Sequence, residues 1–200
     1  MNEMTRRIYA GVFIYLAVVI RFAYQARTGR RKMEMVQHLP VARGAATVSS
    51  WSWFALLMAV PVPGLVPLDD LPIATAWRVP LQVAGAAILA MSIGLFYWCH
   101  RALGEFWYGE PGLKQGHQLI RRGPYRWVRH PMYTSFFGGY LGALLLLQSW
   151  VFFIPIGFAP GFWFMAVVEE RILTGQFGAD YGSYRREAGR FLPRLARSET

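Results

Sequence analysis

Eleven consecutive residues, GPYRWVRHPMY at 123–133, hold two arginines, a histidine, two prolines and three aromatic rings in a chain that is 54% hydrophobic. Pro131 suits the first position of a helix, where its missing N–H costs nothing. A helix start presents free N–H donors and a partial positive charge, and Arg129 and His130 add to that field. The combination suits a carboxylate or a phosphate. Tyr125, Trp127 and Tyr133 supply ring faces that stack on a base or attract a cation. Gly123-Pro124 and Pro131 form two fixed corners that hold these groups in one geometry. Taken singly, each of the arginine, histidine and aromatic residues is ordinary at a membrane interface.

A second pair with chemical capacity is Glu169-Glu170, at the end of the last apolar run, where positive residues are the usual choice. Two carboxylates there either reach solvent or accept a cationic or amine-bearing ligand held against the basic 123–133 stretch. A ligand with a carboxylate, an amine and a positive centre would match both halves. Tyr181 and Tyr184, three apart, share a helix face, and packing of the tail against the bundle explains them without chemistry. His117 stands alone in GHQLI. The four histidines, His38, His100, His117 and His130, lack metal-ligand spacing, so no metal site is expected. No GxGxxG, P-loop or GxSxG pattern occurs, and no strand is evident, which argues against Rossmann chemistry.

The elements that must position these residues are apolar spans. Only 16% of the 200 residues are charged, against about 25% in soluble domains. The formal net charge of +10 then reads as anchoring against anionic lipid, with no nucleic-acid partner and no obligate protein partner expected. The single cysteine, Cys99, excludes an internal disulfide framework. Five spans are expected: Ile8 to Ala26, a proline-broken run from about Ser50, Val79 to about His100, Met132 to Leu147, and Trp150 to Val168. Retention of the first as a span, not a cleaved leader, follows from the lack of a clean small-x-small site. Gln148-Ser149 joins the last two as a helical hairpin, and a helical tail runs to about Ala188. Gly85, Ala86, Ala87 and Ala90 would let another helix approach the third span closely.

The segments 27–50, 101–130 and the tail from 169 carry 17 of the 21 Lys/Arg. The positive-inside rule therefore puts the N-terminus outside and the C-terminus inside. It also brings the 101–130 connector and the tail to one membrane face, where the two charged segments meet. The expected fold is all-α: one integral membrane domain over 1–200, five transmembrane helices and a cytoplasmic C-terminal helix.

Three ordered blocks, GHQLIRRGPYRWVRHPMY, EERILTGQFGADYGSY and GRFLP, resemble the isoprenylcysteine carboxyl methyltransferase family of integral membrane enzymes, to which the phospholipid methyltransferases are related. The resemblance covers residues 92–195, the expected cofactor-binding and catalytic core. It implies S-adenosylmethionine as methyl donor, held at the cytoplasmic face under the tail. It also implies cofactor contacts at Gln115, His117, Leu119, Ile120 and Tyr125 in the connector. Further contacts fall at Arg129, His130, Pro131 and Met132 at the helix start. Arg129, Glu169 and Glu170 are the implied catalytic groups, and Tyr133, Tyr181 and Tyr184 face the acceptor. That acceptor is a lipophile: a prenylcysteine-like carboxylate or another membrane lipid. In the isoprenylcysteine enzymes an arginine stands four residues before the first glutamate, whereas Met165 stands here. Membrane sterol reductases, which use NADPH, carry a similar GxxRxxRHPxY stretch and form the alternative enzyme class. A lipid-binding or scaffold protein is the non-enzymatic alternative.

Overall fold

The computed structural model describes residues 3–28, 35–38, 60, 62–65, 70–107, 112–114, 116–151, 153 and 159–194. Within them lie four α-helices: α1 (Glu3–Thr28), α2 (Thr75–Leu103), α3 (Pro131–Leu147) and α4 (Ala159–Glu187). The proline-broken second span falls almost wholly outside the described residues, as does the start of the fifth. The structure is predominantly helical, with one departure from the all-α expectation. Two short strands, β1 (Met35–His38) and β2 (Gly112–Lys114), pair antiparallel. At four and three residues they are too short to show a period-2 pattern, which is why the sequence concealed them.

Helix α2 is longer than expected at both ends. It opens at Thr75, ahead of Pro80, and stops where Gly104 takes a φ of 55°. Glycine tolerates that left-handed backbone, and its N–H closes onto the His100 carbonyl. A short 3-10 turn, Gly104–Phe106, follows. The segment Thr75–Phe106 is long and apolar enough to cross a membrane, and it alone meets that test among the described residues. A core helix of a soluble domain would bury its apolar stretch. Here only 22% of that stretch is buried, and Trp77, Val79, Val83 and Met91 all stand exposed. Helix α3, at 17 residues, extends roughly 26 Å, somewhat short of the bilayer core.

The expected close approach occurs along α2 and α3. A Cβ on Gly85 would meet the Leu146 nitrogen at 2.5 Å and the Gly142 carbonyl at 2.7 Å. One on Gly142 would meet the Leu89 nitrogen at 2.8 Å. The two backbones touch through paired glycines, and Gly138 admits the Ser92 side chain beside them. Ala87 and Ala90 take no part, since both face outward. Val60, Leu89, Ala143, Leu146 and Leu147 fill the adjoining core.

Helix α4 unites two elements expected to be separate, the fifth span and the tail. At Gly178 (φ 50°, ψ −119°) the helix breaks and turns. The break redirects its last turns so that Tyr181, Tyr184 and Ala188 form a buried cluster with Leu119, Leu173 and Phe177 around it.

Candidate functional site

The 123–133 stretch is fixed from both ends. Gly123 has a φ of 60°, and a Cβ there would press on Ala102 at 3.0 Å and on Trp98 Nε1 at 3.1 Å. With Pro124 it begins a 3-10 turn, Gly123–Arg126. The turn sends Tyr125 inward and Arg126 and Trp127 outward. Pro131 is the first residue of α3, as its chemistry requires.

Residues 127–130 then run beside the end of the tail. The N–H of Arg129 donates to the Gly189 carbonyl at 2.8 Å, and that of His130 to the Arg190 carbonyl at 3.0 Å. In return the Gly189 N–H donates to the Trp127 carbonyl at 3.0 Å. Gly189 is required for this pairing: a Cβ there would lie 1.8 Å from the Leu192 carbonyl oxygen. Thr134 Oγ1 donates to the Phe191 carbonyl at 2.6 Å, and Tyr184 Oη to the Tyr125 carbonyl at 2.5 Å.

This pairing assembles a charged cluster at the start of α3. Arg129 donates to Glu170 Oε1 from Nε (3.1 Å) and Nη2 (2.9 Å). Arg190 donates to the same carboxylate, Nε to Oε1 and Nη2 to Oε2, both at 2.9 Å. His130 Nε2 lies 3.3 Å from Oε1 in ion contact. Burial alone would raise the Glu170 carboxyl, but His130, Arg190 and Arg129 outweigh it and hold it well below the usual carboxylate range. The remaining Arg129 nitrogen, Nη1, donates to the carbonyls of Ala188 and Arg185 at the end of α4.

Glu169 is placed differently. It accepts from Tyr133 Oη at 2.7 Å, and its second oxygen lies 3.2 Å from His130 Nδ1. Its side chain is 29% exposed, against 5% for Glu170. Glu169 is therefore the accessible carboxylate and Glu170 the enclosed one. His130 bridges the two. Burial lowers its pKa, yet the two carboxylates prevail and raise it above the ordinary value. Its ring stacks on Tyr133 with 5.7 Å between centroids and 18° between planes.

The other expected positions divide into two groups. Ile120 and Met132 pack against Cys99, Ala102 and Tyr125, while Leu119 joins Tyr181 and Tyr184. His117 lies between rings, 5.4 Å from Phe106 and 6.3 Å from Phe177. Gln115 lies outside the described residues. Tyr181 is fully buried, and its hydroxyl has no hydrogen-bond partner among the described residues. Burial pushes both tail phenols up. Arg190, which stands in the GRFLP block, is a site residue that the sequence alone does not single out. It equals Arg129 as a partner of Glu170.

Comparison with known proteins places this arrangement in a family. The phospholipid methyltransferase family matches residues 81–180. That range holds most of α2, the 123–133 stretch, α3 and both glutamates, and stops short of Tyr181, Tyr184 and Arg190. An uncharacterized protein of Bacillus subtilis, YpbQ, is 32% identical over 68 residues, which is 34% of this chain and 40% of its own length. The protein-S-isoprenylcysteine O-methyltransferase of Saccharomyces cerevisiae is 34% identical over 79 residues, 38% of this chain and 33% of its own length. The chain thus matches well under half the length of each of these relatives. The family match covers half of the chain and contains the basic stretch and the acidic pair together: the chain belongs to the phospholipid methyltransferase family.

Proposed function

We propose that the chain is a membrane methyltransferase that uses S-adenosylmethionine and methylates a lipophilic acceptor, a prenylcysteine-like carboxylate or another membrane lipid. The observation that carries this reading is the pair of unlike carboxylates beside a helix start: Glu170 enclosed by two arginines, Glu169 open and bonded to Tyr133. The proposal extends to five spans with the N-terminus outside, so that the α3 start and the tail share the cytoplasmic face. Membrane lipids surround the spans in this arrangement.

The residues present fit the cofactor's charges. Arg129, Arg190 and the α3 N-terminus favour its carboxylate, and Glu169 favours its ammonium. Tyr181 Oη, buried and without a hydrogen-bond partner among the described residues, offers one further polar contact. His117, Leu119, Ile120, Tyr125, Pro131 and Met132 supply the surrounding wall, with Gln115 beside them in sequence. When bound, S-adenosylmethionine supplies an electrophilic methyl group on a sulfonium. The chain contributes positioning and exclusion of water, which suffice for a large share of an in-line displacement. A carboxylate acceptor needs no base, whereas an amine or thiol must lose a proton. Glu169, with its partial exposure, is the group suited to take that proton. Glu170 remains an ionised anchor for Arg129 and Arg190.

The test is calorimetric titration of the purified protein in detergent with S-adenosylmethionine, with NADPH titrated in parallel. Saturable binding of S-adenosylmethionine alone is expected. NADPH binding alone would move the chain to the reductase class, and binding of neither to folded protein would favour the scaffold alternative.

A further inference from the structure

Beside the charged cluster, and turned away from it, the same 3-10 corner presents a second group. Trp98 on α2 and Trp127 stand edge to face, 5.8 Å apart and inclined by 66°. Arg126 lies over the Trp127 ring, with its guanidinium carbon 4.7 Å from the centroid. Trp98 and Trp127 are 43% and 44% exposed. Gly123 sits against Trp98 so closely that a Cβ would touch its Nε1. The Trp127 backbone is held by bonds to Pro124 and Gly189, and its ring lies between Trp98 and Arg126. Arg122 anchors the adjoining chain through Nε to the Ala102 carbonyl at 3.0 Å, and Arg121 donates to the Asp180 carbonyl.

Two half-exposed tryptophans in fixed positions are costly in water and favourable where a hydrocarbon boundary meets headgroups. A guanidinium fixed over such a ring keeps its N–H edge free, and that edge matches a phosphate bidentately. Arg121, Arg122 and Arg126 are exposed together here, so the field selects a net negative ligand over a zwitterion. We infer that Trp98, Trp127 and Arg126 form a binding site for the phosphate headgroup of an anionic phospholipid, distinct from the methyl-transfer cluster. The site would seat the 3-10 corner at the interface, with Tyr125 directed inward from the same turn and Arg129 buried three residues beyond it. It does not depend on the identity of the methyl donor.

The experiment uses the full chain in lipid nanodiscs of phosphatidylcholine with a minor fraction of spin-labelled phosphatidylglycerol or spin-labelled phosphatidylcholine. The immobilised fraction of each label reports preference at the protein surface. Wild type is expected to prefer phosphatidylglycerol, and Arg126→Gln to reduce that preference about fivefold, the effect of one interfacial arginine. Trp127→Phe, which keeps a ring and protects folding, is expected to give a smaller loss in the same direction. Arg194→Gln, an exposed arginine elsewhere on the tail, serves as the control and is expected to change little. An equal effect of Arg194→Gln, or none of Arg126→Gln, would overturn the site in favour of a diffuse charge effect. Displacement of the label by inorganic phosphate at equal charge would overturn it in favour of a small-anion site.

Discussion

Both ends of the helical core bury arginines, and they use them differently. At the start of α1, Arg6 donates to Asp70 and to the Leu147 carbonyl, which ends α3. Arg7 donates to Glu3 and to the carbonyls of Val60 and Val62. Each of these carboxylates is about half exposed, at 43% for Asp70 and 57% for Glu3. The arginines there close helix ends and loops, and the acids are secondary. At the start of α3 the order is reversed. One enclosed carboxylate, Glu170, collects Arg129, Arg190, His130 and, at 4.0 Å, Arg185, and the backbone carbonyls take only what Arg129 has left. A capping site has no reason to gather charge around an acid. The proposed cofactor site, which would present cations and a second, accessible carboxylate to a ligand, does.

Removing one acid from each end tests that difference. Glu170→Gln leaves two arginines facing an uncharged amide, one of them buried, and is expected to cost about 3–5 kcal/mol. Asp70→Asn removes a half-exposed partner and is expected to cost under about 1 kcal/mol. Denaturation midpoints in detergent measure both. Comparable losses would erase the distinction between the two ends.

Gly189→Ala tests the pairing that assembles the cluster. Its Cβ must push the Leu192 carbonyl away, so a loss of about 1–3 kcal/mol is expected. Denaturation of this variant, followed by tryptophan fluorescence, supplies the measurement.

The pH response sharpens the same contrast. His130 has a raised pKa in the folded chain, so its contribution is complete below its unfolded value near 6.5 and is lost as pH rises through the folded value. Glu170 has a depressed pKa, so its contribution is complete above its unfolded value near 4.5 and fades as pH falls toward the folded one. Stability should therefore decline from pH 6 to pH 9 in wild type, and more weakly in His130→Gln. Thermal midpoints across that range decide it, and parallel profiles for the two proteins would remove His130 from the cluster. A smaller effect, about 1 kcal/mol, is expected for Tyr184→Phe, which loses one bond to the Tyr125 carbonyl.

Local chemistry was readable in the residues where the constraint is local. Pro131 starts a helix because the first turn leaves its missing N–H without cost, and Gly85 meets α3 because only a small residue allows that approach. Tyr181 and Tyr184 share a face because helical spacing requires it, and their rings stand 5.9 Å apart. Arg190 was not readable in the same way. Its role depends on 127–130 lying beside 189–190 across some sixty residues of chain, and no periodicity encodes that pairing. The break at Gly178 creates it, and a lone glycine in a helical pattern has several possible meanings. The unlike burial of Glu169 and Glu170 was hidden for a related reason. Adjacent carboxylates look equivalent until the second arginine arrives on one of them.

S-adenosylmethionine titration of Arg129→Ala and Asp70→Asn, side by side with wild type, addresses the assignment of the α3 end as the cofactor site. Each variant would first be shown to retain its helix content by circular dichroism. Loss of at least about tenfold in affinity for Arg129→Ala, about 1.4 kcal/mol, with Asp70→Asn unchanged, is the expected result. Wild-type affinity in Arg129→Ala, or equal loss in both, would contradict it.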